Sequence, residues 1–284
     1  MTGTGTQDAP FIVDNWDDFV TAIGTDGVYV EFANSGGVID MNQIAPEGVS
    51  DIAINCASIV GNNWTIKNLY GANSDVFIFA SRKIMIDGLN FLDFYFQSST
   101  TSSSICLFKS HNKYRHYFKN CSFTGVLYGI TSCTSLYKDS NAISDFRAFT
   151  RCSFNINLKG NARLHQSISN SLRMENCYLI LSGATTASYF MITLLNSYLG
   201  GSIEKTSSNK INFSNSVSSV INCYIKASGI DYGNDKTYGV LINSDKVDSA
   251  ITIPDGLNAV TTEQLKDDNY LDSIGFPIGG GLNG

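Results

Sequence analysis

The sequence predicts an all-β fold, a parallel β-helix in which one chain winds as a solenoid and a short helix closes each end. Three observations support this prediction. The 284-residue chain holds 17 Phe, 14 Tyr and 25 Gly, a composition typical of short strands joined by turns. A short pattern of apolar and polar residues recurs along the middle of the chain, and both ends carry helix-capping signals.

The recurring pattern is an apolar residue, any residue, Asn, Cys, any residue and a second apolar residue. Its clear copies are 118–123, 149–154, 174–179, 194–199 and 220–225, and weaker copies are 66–69 and 86–91. The anchors at the Asn position are Asn68, Gly88, Asn120, Arg151, Asn176, Asn196 and Asn222, at intervals of 20 to 32 residues. Each copy alternates with a period of two, which indicates strands, and the interval is shorter than the roughly 40 residues of a propeller blade. Coils stacked about 4.8 Å apart would give eight or nine coils and a length on the order of 40 Å.

Equivalent positions of successive coils line up as columns along the solenoid axis. The position after each anchor is small or apolar, as in a packed interior: Leu69, Leu89, Cys121, Cys152, Cys177, Ser197 and Cys223. The number of cysteines is odd, at seven, and they are spread through the chain, which argues against a disulfide framework. We therefore expect Cys121, Cys152, Cys177 and Cys223 to be buried, reduced and stacked on adjacent coils. The anchor asparagines should form a ladder at a turn with left-handed backbone.

Both ends carry the signals of a capping helix. The first runs over residues 15–24, with Asn15 as its N-cap and Gly24 at its end. Four apolar residues share one face of this helix: Trp16, Phe19, Val20 and Ile23. Near the other end, Thr261 and Gln264 form a capping-box pattern that predicts a helix to about residue 270. The chain then divides, within one domain, into an N-terminal arm and capping helix (1–29), the parallel β-helix (30–253), and a C-terminal capping helix and arm (254–284).

The repeated coils resemble those of the pectate-lyase-like β-helix over about residues 30–253. This resemblance implies a right-handed, single-stranded solenoid. A second resemblance, to phage and prophage structural proteins, is carried by shorter segments: 5–13 with the helix that follows, 36–41, 61–69 and 270–277. It implies a structural component of a virion.

Many pectate-lyase-like proteins are polysaccharide lyases or hydrolases, so the resemblance also implies clustered acidic residues on adjacent coils. Cleavage of a glycosidic bond by an acid pair needs two carboxylates within about 5 to 10 Å. The column before the anchor contains Asp87 and Glu175, but no two acids are adjacent in it. The central acidic candidates are Asp139, Asp145 and Glu175. We therefore expect no catalytic site, with a glycan lyase or hydrolase as the alternative.

The histidines and cysteines do not predict a metal site. His111 and His116 are five residues apart and have basic but no acidic neighbours, which is more typical of a solvated loop. The cysteines lack the CxxC spacing of zinc sites. We expect neither a metal nor another cofactor.

Three tyrosines form one of two binding candidates. Tyr178, Tyr198 and Tyr224 occupy the position two after the anchor in successive copies, and alternation places that column on the outer face. An outward aromatic stripe suits stacking on sugar rings or a protein interface. The alternative is that a loop folds over the three rings.

Charge is segregated along the chain. Residues 1–93 have a net charge of −9, residues 94–230 of +9 and residues 231–284 of −6. The central coils contain four arginines: Arg147, Arg151, Arg163 and Arg173. A basic middle between acidic ends predicts docking on an acidic partner surface, and the alternative is ordinary scatter. The overall net charge of −6 argues against general nucleic-acid binding.

These observations favour a structural function, that of a protein on the surface of a phage virion. It would be a capsid decoration or fibre protein, or a tail-fibre module. Its partners would be other virion proteins, such as the major capsid or tail proteins, and a host surface glycan, with the chain present as a homo-oligomer or in many copies. We expect assembly in the bacterial cytoplasm and no membrane contact, because the sequence shows neither a secretory signal nor a membrane-spanning stretch. The alternatives are a glycan-degrading or glycan-binding tail spike and a bacterial surface adhesin, which the missing signal disfavours.

Overall fold

Two long parallel sheets run along the molecule, and they form the parallel β-helix that the sequence predicts. The computed structural model describes residues 1–72, 74–80, 82–98, 104–110, 116–139, 148–166, 172–186, 190–205, 211–213, 218–227, 229–231, 239–255 and 257–276. The strands are β1 (Phe11–Val13), β2 (Tyr29–Phe32), β3 (Val38–Asp40), β4 (Ile52–Ile54), β5 (Ser58–Val60), β6 (Thr65–Lys67), β7 (Tyr70–Ala72), β8 (Phe77–Phe79), β9 (Ile84–Asp87), β10 (Asn90–Ser98), β11 (Ile105–Ser110), β12 (His116–Lys119), β13 (Ser122–Asp139), β14 (Ala148–Thr150), β15 (Ser153–Gln166), β16 (Leu172–Glu175), β17 (Tyr178–Thr185), β18 (Phe190–Leu195), β19 (Tyr198–Lys205), β20 (Ile211–Asn212), β21 (Val220–Lys226), β22 (Ile230–Asp231), β23 (Leu241–Asn243) and β24 (Asn258–Val260). The helices are α1 (Trp16–Gly24), α2 (Met41–Ile44), α3 (Thr262–Leu265) and α4 (Asp268–Ser273), with one 3-10 turn at Ser244–Lys246.

The two sheets take one strand from each coil. Sheet A has ten strands in the order β1-β2-β5-β9-β12-β14-β16-β18-β20-β22. Sheet B follows the path β3-β6-β10-β13-β15-β17-β19-β21-β23-β24, and β4, β7, β8 and β11 join it at the side. The sheets begin at Phe11 and end at Val260, beyond the predicted limits of 30 and 253. In the described residues, nine coils give a strand to each sheet, which agrees with the expected eight or nine, and β1 and β24 add a single strand at either end.

A residue with left-handed backbone links the two sheets in the central coils. Asn120, Asn176 and Asn196 adopt φ angles of 51°, 52° and 49° at this turn. Arg151 adopts 53° and Gly88 adopts 70°, so both occupy the predicted anchor position. The asparagine ladder is present in part, because the amide of Asn196 donates to the side-chain oxygen of Asn176 at 2.7 Å.

The strand register confirms five of the seven predicted anchors and corrects the two outer ones. Thr65 lies opposite Asn90, so the anchor of the early coil is Asn63, with a φ of 62°, and not Asn68. Tyr198 lies opposite Val220, so the late anchor is Ser218, with a φ of 48°, and not Asn222. The late error, a shift of four residues, has a physical cause: a strand that alternates with a period of two fits its neighbours almost equally well when shifted by an even number of residues. The early anchor is shifted by five residues, and Asn68 also has a left-handed φ, of 58°.

The cysteine column is confirmed for three of its four predicted members. Cys121, Cys152 and Cys177 are free thiols, buried on adjacent coils. The Cys177 thiol donates to the carbonyl of Glu175 in its own coil at 3.4 Å and to that of Phe149 in the preceding coil at 3.3 Å. Cys121 and Cys152 make the same pair of bonds. Cys223 is buried but lies opposite Gly201, outside the column, because of the shifted register.

From Cys121 to Ser197 the column holds a small donor at this position, whether sulfur or oxygen. Ser197, the next member, donates its hydroxyl to Leu195 and Met174 carbonyls at 2.8 and 3.2 Å. We expect Cys177→Ser to change the free energy of unfolding by less than about 1 kcal/mol, since the new hydroxyl finds the same two acceptors. Cys177→Val should cost about 1–3 kcal/mol because it removes the thiol's hydrogen bonds to both carbonyls and places a branched side chain in a packed position. Urea denaturation of both variants measures the difference, and equal losses would contradict this account of the column.

Aromatic side chains fill the interior between the sheets. Phe91, Phe123 and Phe154 stack along one column, with ring centroids 5.5 and 5.2 Å apart. Phe118 and Phe149 form a second stack at 4.5 Å. His116 belongs to this core and not to a solvated loop: its ring stacks on Phe79 at 4.0 Å and its Nδ1 shares a hydrogen bond of 2.5 Å with the hydroxyl of Tyr137. Consecutive coils thus place rings in contact over the central part of the solenoid.

Both predicted capping signals begin helices, with differences in detail. Asn15 caps α1 by accepting from the Asp18 amide, and Trp16, Phe19 and Ile23 are buried beneath it. At the other end, the Thr261–Gln264 capping box is present but begins two short helices, α3 and α4, instead of one. Buried Asn243 ties this end to the sheets, because its amide donates to the side-chain oxygens of Asn222 and Thr262. The buried residues of α3 and α4, Leu265 and Leu271, pack against Val220 and Leu241 on the outer face of sheet B.

Candidate functional site

The outer face of sheet B carries the predicted tyrosines. Strand alternation directs every second side chain of β15, β17 and β19 outward, while Phe154, Leu179 and Leu199 point into the core. Counting from the first residue of each strand, the first three outward residues are Ser153, Asn155 and Asn157 on β15, Tyr178, Ile180 and Ser182 on β17, and Tyr198, Gly200 and Ser202 on β19. All nine are uncharged. We call this surface the tyrosine face.

Tyr178 and Tyr198 form a stacked pair on the tyrosine face. They lie opposite each other on β17 and β19, with ring centroids 4.8 Å apart and planes inclined by only 9°. Tyr178 is 53% exposed, which is unusual for a ring held in one orientation. The predicted aromatic stripe is therefore present as a pair, with Tyr178 as its open member.

Tyr198 is the anchored member of the pair. Its ring lies over Gly200, where a Cβ atom would come within 2.7 Å of the ring and 2.9 Å of the Ile180 side chain. The Asn222 amide donates to the Tyr198 hydroxyl at 3.1 Å, and burial raises the pKa of that hydroxyl. On the far side, Tyr198 packs against the apolar cluster of the C-terminal helices, which includes Leu265. These contacts fix Tyr198 and thereby fix the ring stacked on it.

Tyr224 does not belong to this pair. It lies opposite Ser202, because the register of β21 is shifted from the one that the repeat predicted. Its side chain is 43% exposed on the same sheet face, away from the stack. The expectation of three consecutive tyrosines in one column is therefore wrong, although the outward direction of Tyr224 agrees with it.

A second aromatic group on sheet B was not predicted. Tyr70 and Tyr95 lie opposite each other and stack at 6.1 Å, and the Tyr95 hydroxyl donates to Gln97 at 2.9 Å. Burial raises the pKa of Tyr95, and Tyr128 lies close enough to contribute to the shift. The signal in the sequence was the interval of 25 residues between Tyr70 and Tyr95, which matches one coil.

The predicted arginines lie in different environments. Arg151 is exposed at the turn between the sheets, and Arg173 lies on β16 of sheet A, 3.4 Å from Glu175. Arg163 is 9% exposed on the second half of β15, and together with burial it lowers the pKa of Lys205 to about 8. Arg147 lies outside the described residues. The described arginines therefore do not make one continuous basic surface.

The acidic candidates do not come together in the part of the chain that the structure describes. Glu175 ends β16, between Thr150 and Leu195 of the neighbouring strands. Asp139 ends β13, opposite Ser110 on the side of sheet B. Asp145, like His111, lies outside the described residues. Among the residues described, no group of three or more His, Cys, Asp or Glu side chains has the geometry of a metal site.

The cysteines offer no reactive thiol on the surface. All seven are free and buried. Burial raises the pKa of Cys223 to about 12, and the thiols of Cys121 and Cys177 on either side raise that of Cys152. A thiol that stays protonated at neutral pH is a poor nucleophile. Their position supports a packing function.

Comparison with known proteins adds one distant structural similarity. No family model matches the chain, and no curated protein matches it. The chain is similar to the crystal structure of a putative immunoglobulin A1 protease from Bacteroides ovatus, with 16% identity, a TM-score of 0.47, and coverage of 95% of this chain and 89% of the other. Within the described residues, no helix is both long and apolar enough to cross a bilayer.

Proposed function

We propose that the protein is a non-enzymatic component of a phage virion surface that attaches to its partners through the tyrosine face. The observation that carries this proposal is the Tyr178–Tyr198 stack. Tyr198 is held by the C-terminal cluster and Asn222, so Tyr178 is exposed yet fixed. A large ring that is already ordered loses little conformational entropy when it is bound, which is why tyrosine is favoured at interfaces.

The shape of the molecule supports attachment by its side. Helix α1 packs into the core at the N-terminal end, and the C-terminal helices cover sheet B only beyond Tyr198, so the tyrosine face stays open to a partner. A location on the virion, as a capsid decoration or fibre protein or a tail-fibre module, is supported by the resemblance of the terminal segments to phage structural proteins. Its partners would then be capsid or tail proteins and a host glycan, and the protein would be assembled in the bacterial cytoplasm in several copies.

The proposal is tested on phage particles from the strain that carries the gene. We expect the wild-type protein to co-purify with the particles. The Tyr178→Ala variant should fail to attach to them. A salt series distinguishes the tyrosine face from the basic middle of the chain. Salt screens exposed ion pairs, with a screening length of roughly 10 Å at 0.1 M, so rising salt weakens them, whereas it does not weaken stacked rings. Binding that is indifferent to salt and to Arg151→Glu, but lost with Tyr178→Ala, would support the tyrosine face over the basic one.

The alternative is a glycan-cleaving tail spike, and a separate measurement addresses it. Purified protein is incubated with host capsule and cell-wall polysaccharide, and product ends are counted over time. We expect no cleavage. Cleavage that is lost with Glu175→Ala, or absence of the protein from purified particles, would overturn the structural proposal.

A further inference from the structure

We infer that the open side of Tyr178 is a binding site for one pyranose ring of an uncharged glycan. This inference rests on the proposed attachment through the tyrosine face and names the ligand at that face. Two parallel rings whose centroids are 4.8 Å apart must be stacked face to face, since coplanar rings side by side would clash at that distance. One side of Tyr178 is therefore covered by Tyr198, and the other is directed toward the preceding coil.

The preceding coil leaves room for a ring. Ser153 lies opposite Tyr178 on that side, and its small side chain is exposed. The coil before that of Ser153 places Ser122 opposite it, and the Ser122 hydroxyl donates to the side-chain oxygen of Asn90 at 2.7 Å. Coils repeat about every 4.8 Å, the distance at which Tyr178 already stacks on Tyr198. A flat ring above Ser153 would thus continue the stack by one step.

Hydrogen-bonding groups surround this position. Ser153 and Asn155 are both exposed, and neither side chain makes a hydrogen bond to another part of the described chain. A hydroxyl can donate and accept, and an amide offers two donors and an acceptor. A pyranose presents an apolar face for stacking and a rim of hydroxyl groups, so it matches an aromatic ring flanked by Ser and Asn. An aromatic side chain of a partner protein would use the ring but leave these polar groups unmatched.

The electrostatics of the surface favour an uncharged ligand. All nine outward residues of the tyrosine face, which ends at Asn157, Ser182 and Ser202 on its three strands, are neutral. Charges begin only at Lys159 and Glu204, toward the far end of the strands, and Glu204 is paired with Lys226 at 3.5 Å. Among the described outward residues of these strands, an acidic glycan would find no cation beside Tyr178, and the exposed Arg151 lies at the turn between the sheets, two residues before Ser153.

The test uses the full-length protein and a panel of uncharged oligosaccharides as probes: hexamers of glucose, galactose, mannose and N-acetylglucosamine. Binding is followed by calorimetry and by saturation-transfer NMR, at concentrations up to about 10 mM, where affinity is still measurable. We expect at least one hexamer to bind, with affinity lost about tenfold or more in Tyr178→Ala and kept within about threefold in Tyr178→Phe. Ser153→Trp, which fills the open position with a ring of the chain itself, should also abolish binding.

Tyr224→Ala is the matched control, because Tyr224 is an exposed tyrosine on the same sheet face but outside the stack. It should leave the affinity unchanged. The inference is wrong if no hexamer binds, or if Tyr224→Ala weakens binding as much as Tyr178→Ala. Loss of particle attachment in Tyr178→Ala without any sugar binding would keep the proposed function and identify a protein aromatic as the ligand. If the protein binds a sugar through Tyr178 but is absent from particles, the ligand inference stands and the proposed virion function is wrong.

Discussion

Phe118→Ala should lower the free energy of unfolding by about 3–5 kcal/mol. Phe118 is 1% exposed, stacks on Phe149 with centroids 4.5 Å apart, and contacts Phe108 at 4.8 Å and Phe123 at 6.1 Å. Removing the ring loses its transfer free energy and leaves a cavity, because neighbours on stacked coils are held by the sheets and cannot close the space. A loss of this size is a large part of the 5–15 kcal/mol that typically stabilises a domain.

Met85→Ala is the control for this prediction. Met85 lies on β9, the strand next to Phe118, but its side chain is 40% exposed on the outer face of sheet A. It should cost less than about 1 kcal/mol, because a large part of the side chain already contacts water. Urea denaturation followed by circular dichroism measures both variants. Similar losses for Phe118→Ala and Met85→Ala would show that the stacked aromatic interior contributes little.

The central coils could be predicted from the sequence because each copy of the pattern contains a positional marker. Asn at the anchor favours the left-handed turn, and Cys or Ser beside it fits the small interior position. Where both markers are present, at Asn120 and Asn176, the predicted register is that of the structure. At Asn222 an Asn followed by Cys falls inside a strand instead. The turn is made by Ser218, which has Ser219 beside it but lacks the Asn marker.

Burial of the binding candidates could not be predicted from local pattern. Alternation correctly directs Tyr178, Tyr198 and Tyr224 outward, because it depends only on the pleat of the strand. Whether another segment covers an outward residue depends on contacts distant in sequence. The helices that contribute Leu265 and Leu271 to the cluster packed against Tyr198 lie more than 60 residues further along the chain.

Charge was the least informative signal for the same reason. The net charge of +9 over residues 94–230 describes composition and not position. The structure buries Arg163 and places Arg173 beside Glu175, whereas the tyrosine face in the same region is neutral. A sum over sequence treats an arginine in the interior and one on the surface alike, so it cannot identify the face that a partner contacts.

Gly201→Ala should lower the free energy of unfolding by at least about 3 kcal/mol or prevent folding. Gly201 has a φ of 97°, which L residues rarely adopt, and strain of this kind costs about 1–3 kcal/mol. In addition, the new Cβ would overlap the backbone carbonyl oxygen of Leu181 and approach its carbonyl carbon to 2.9 Å. Leu181 lies opposite Gly201 on the neighbouring coil, so relief requires β17 and β19 to separate.

Gly24→Ala makes the same chemical change where the structure tolerates it. Nothing lies within 4 Å of a Cβ at Gly24, its φ is not positive, and it ends helix α1, so the variant should be neutral or stabilise by up to about 1 kcal/mol. The Tyr178–Tyr198 stack spans the two strands that Gly201→Ala would force apart, which provides a readout independent of stability. If the variant folds, its near-ultraviolet tyrosine dichroism should change, whereas that of Gly24→Ala should not. A folded Gly201→Ala protein with unchanged stability and an unchanged tyrosine signal would contradict the close coil spacing on which the ligand site depends.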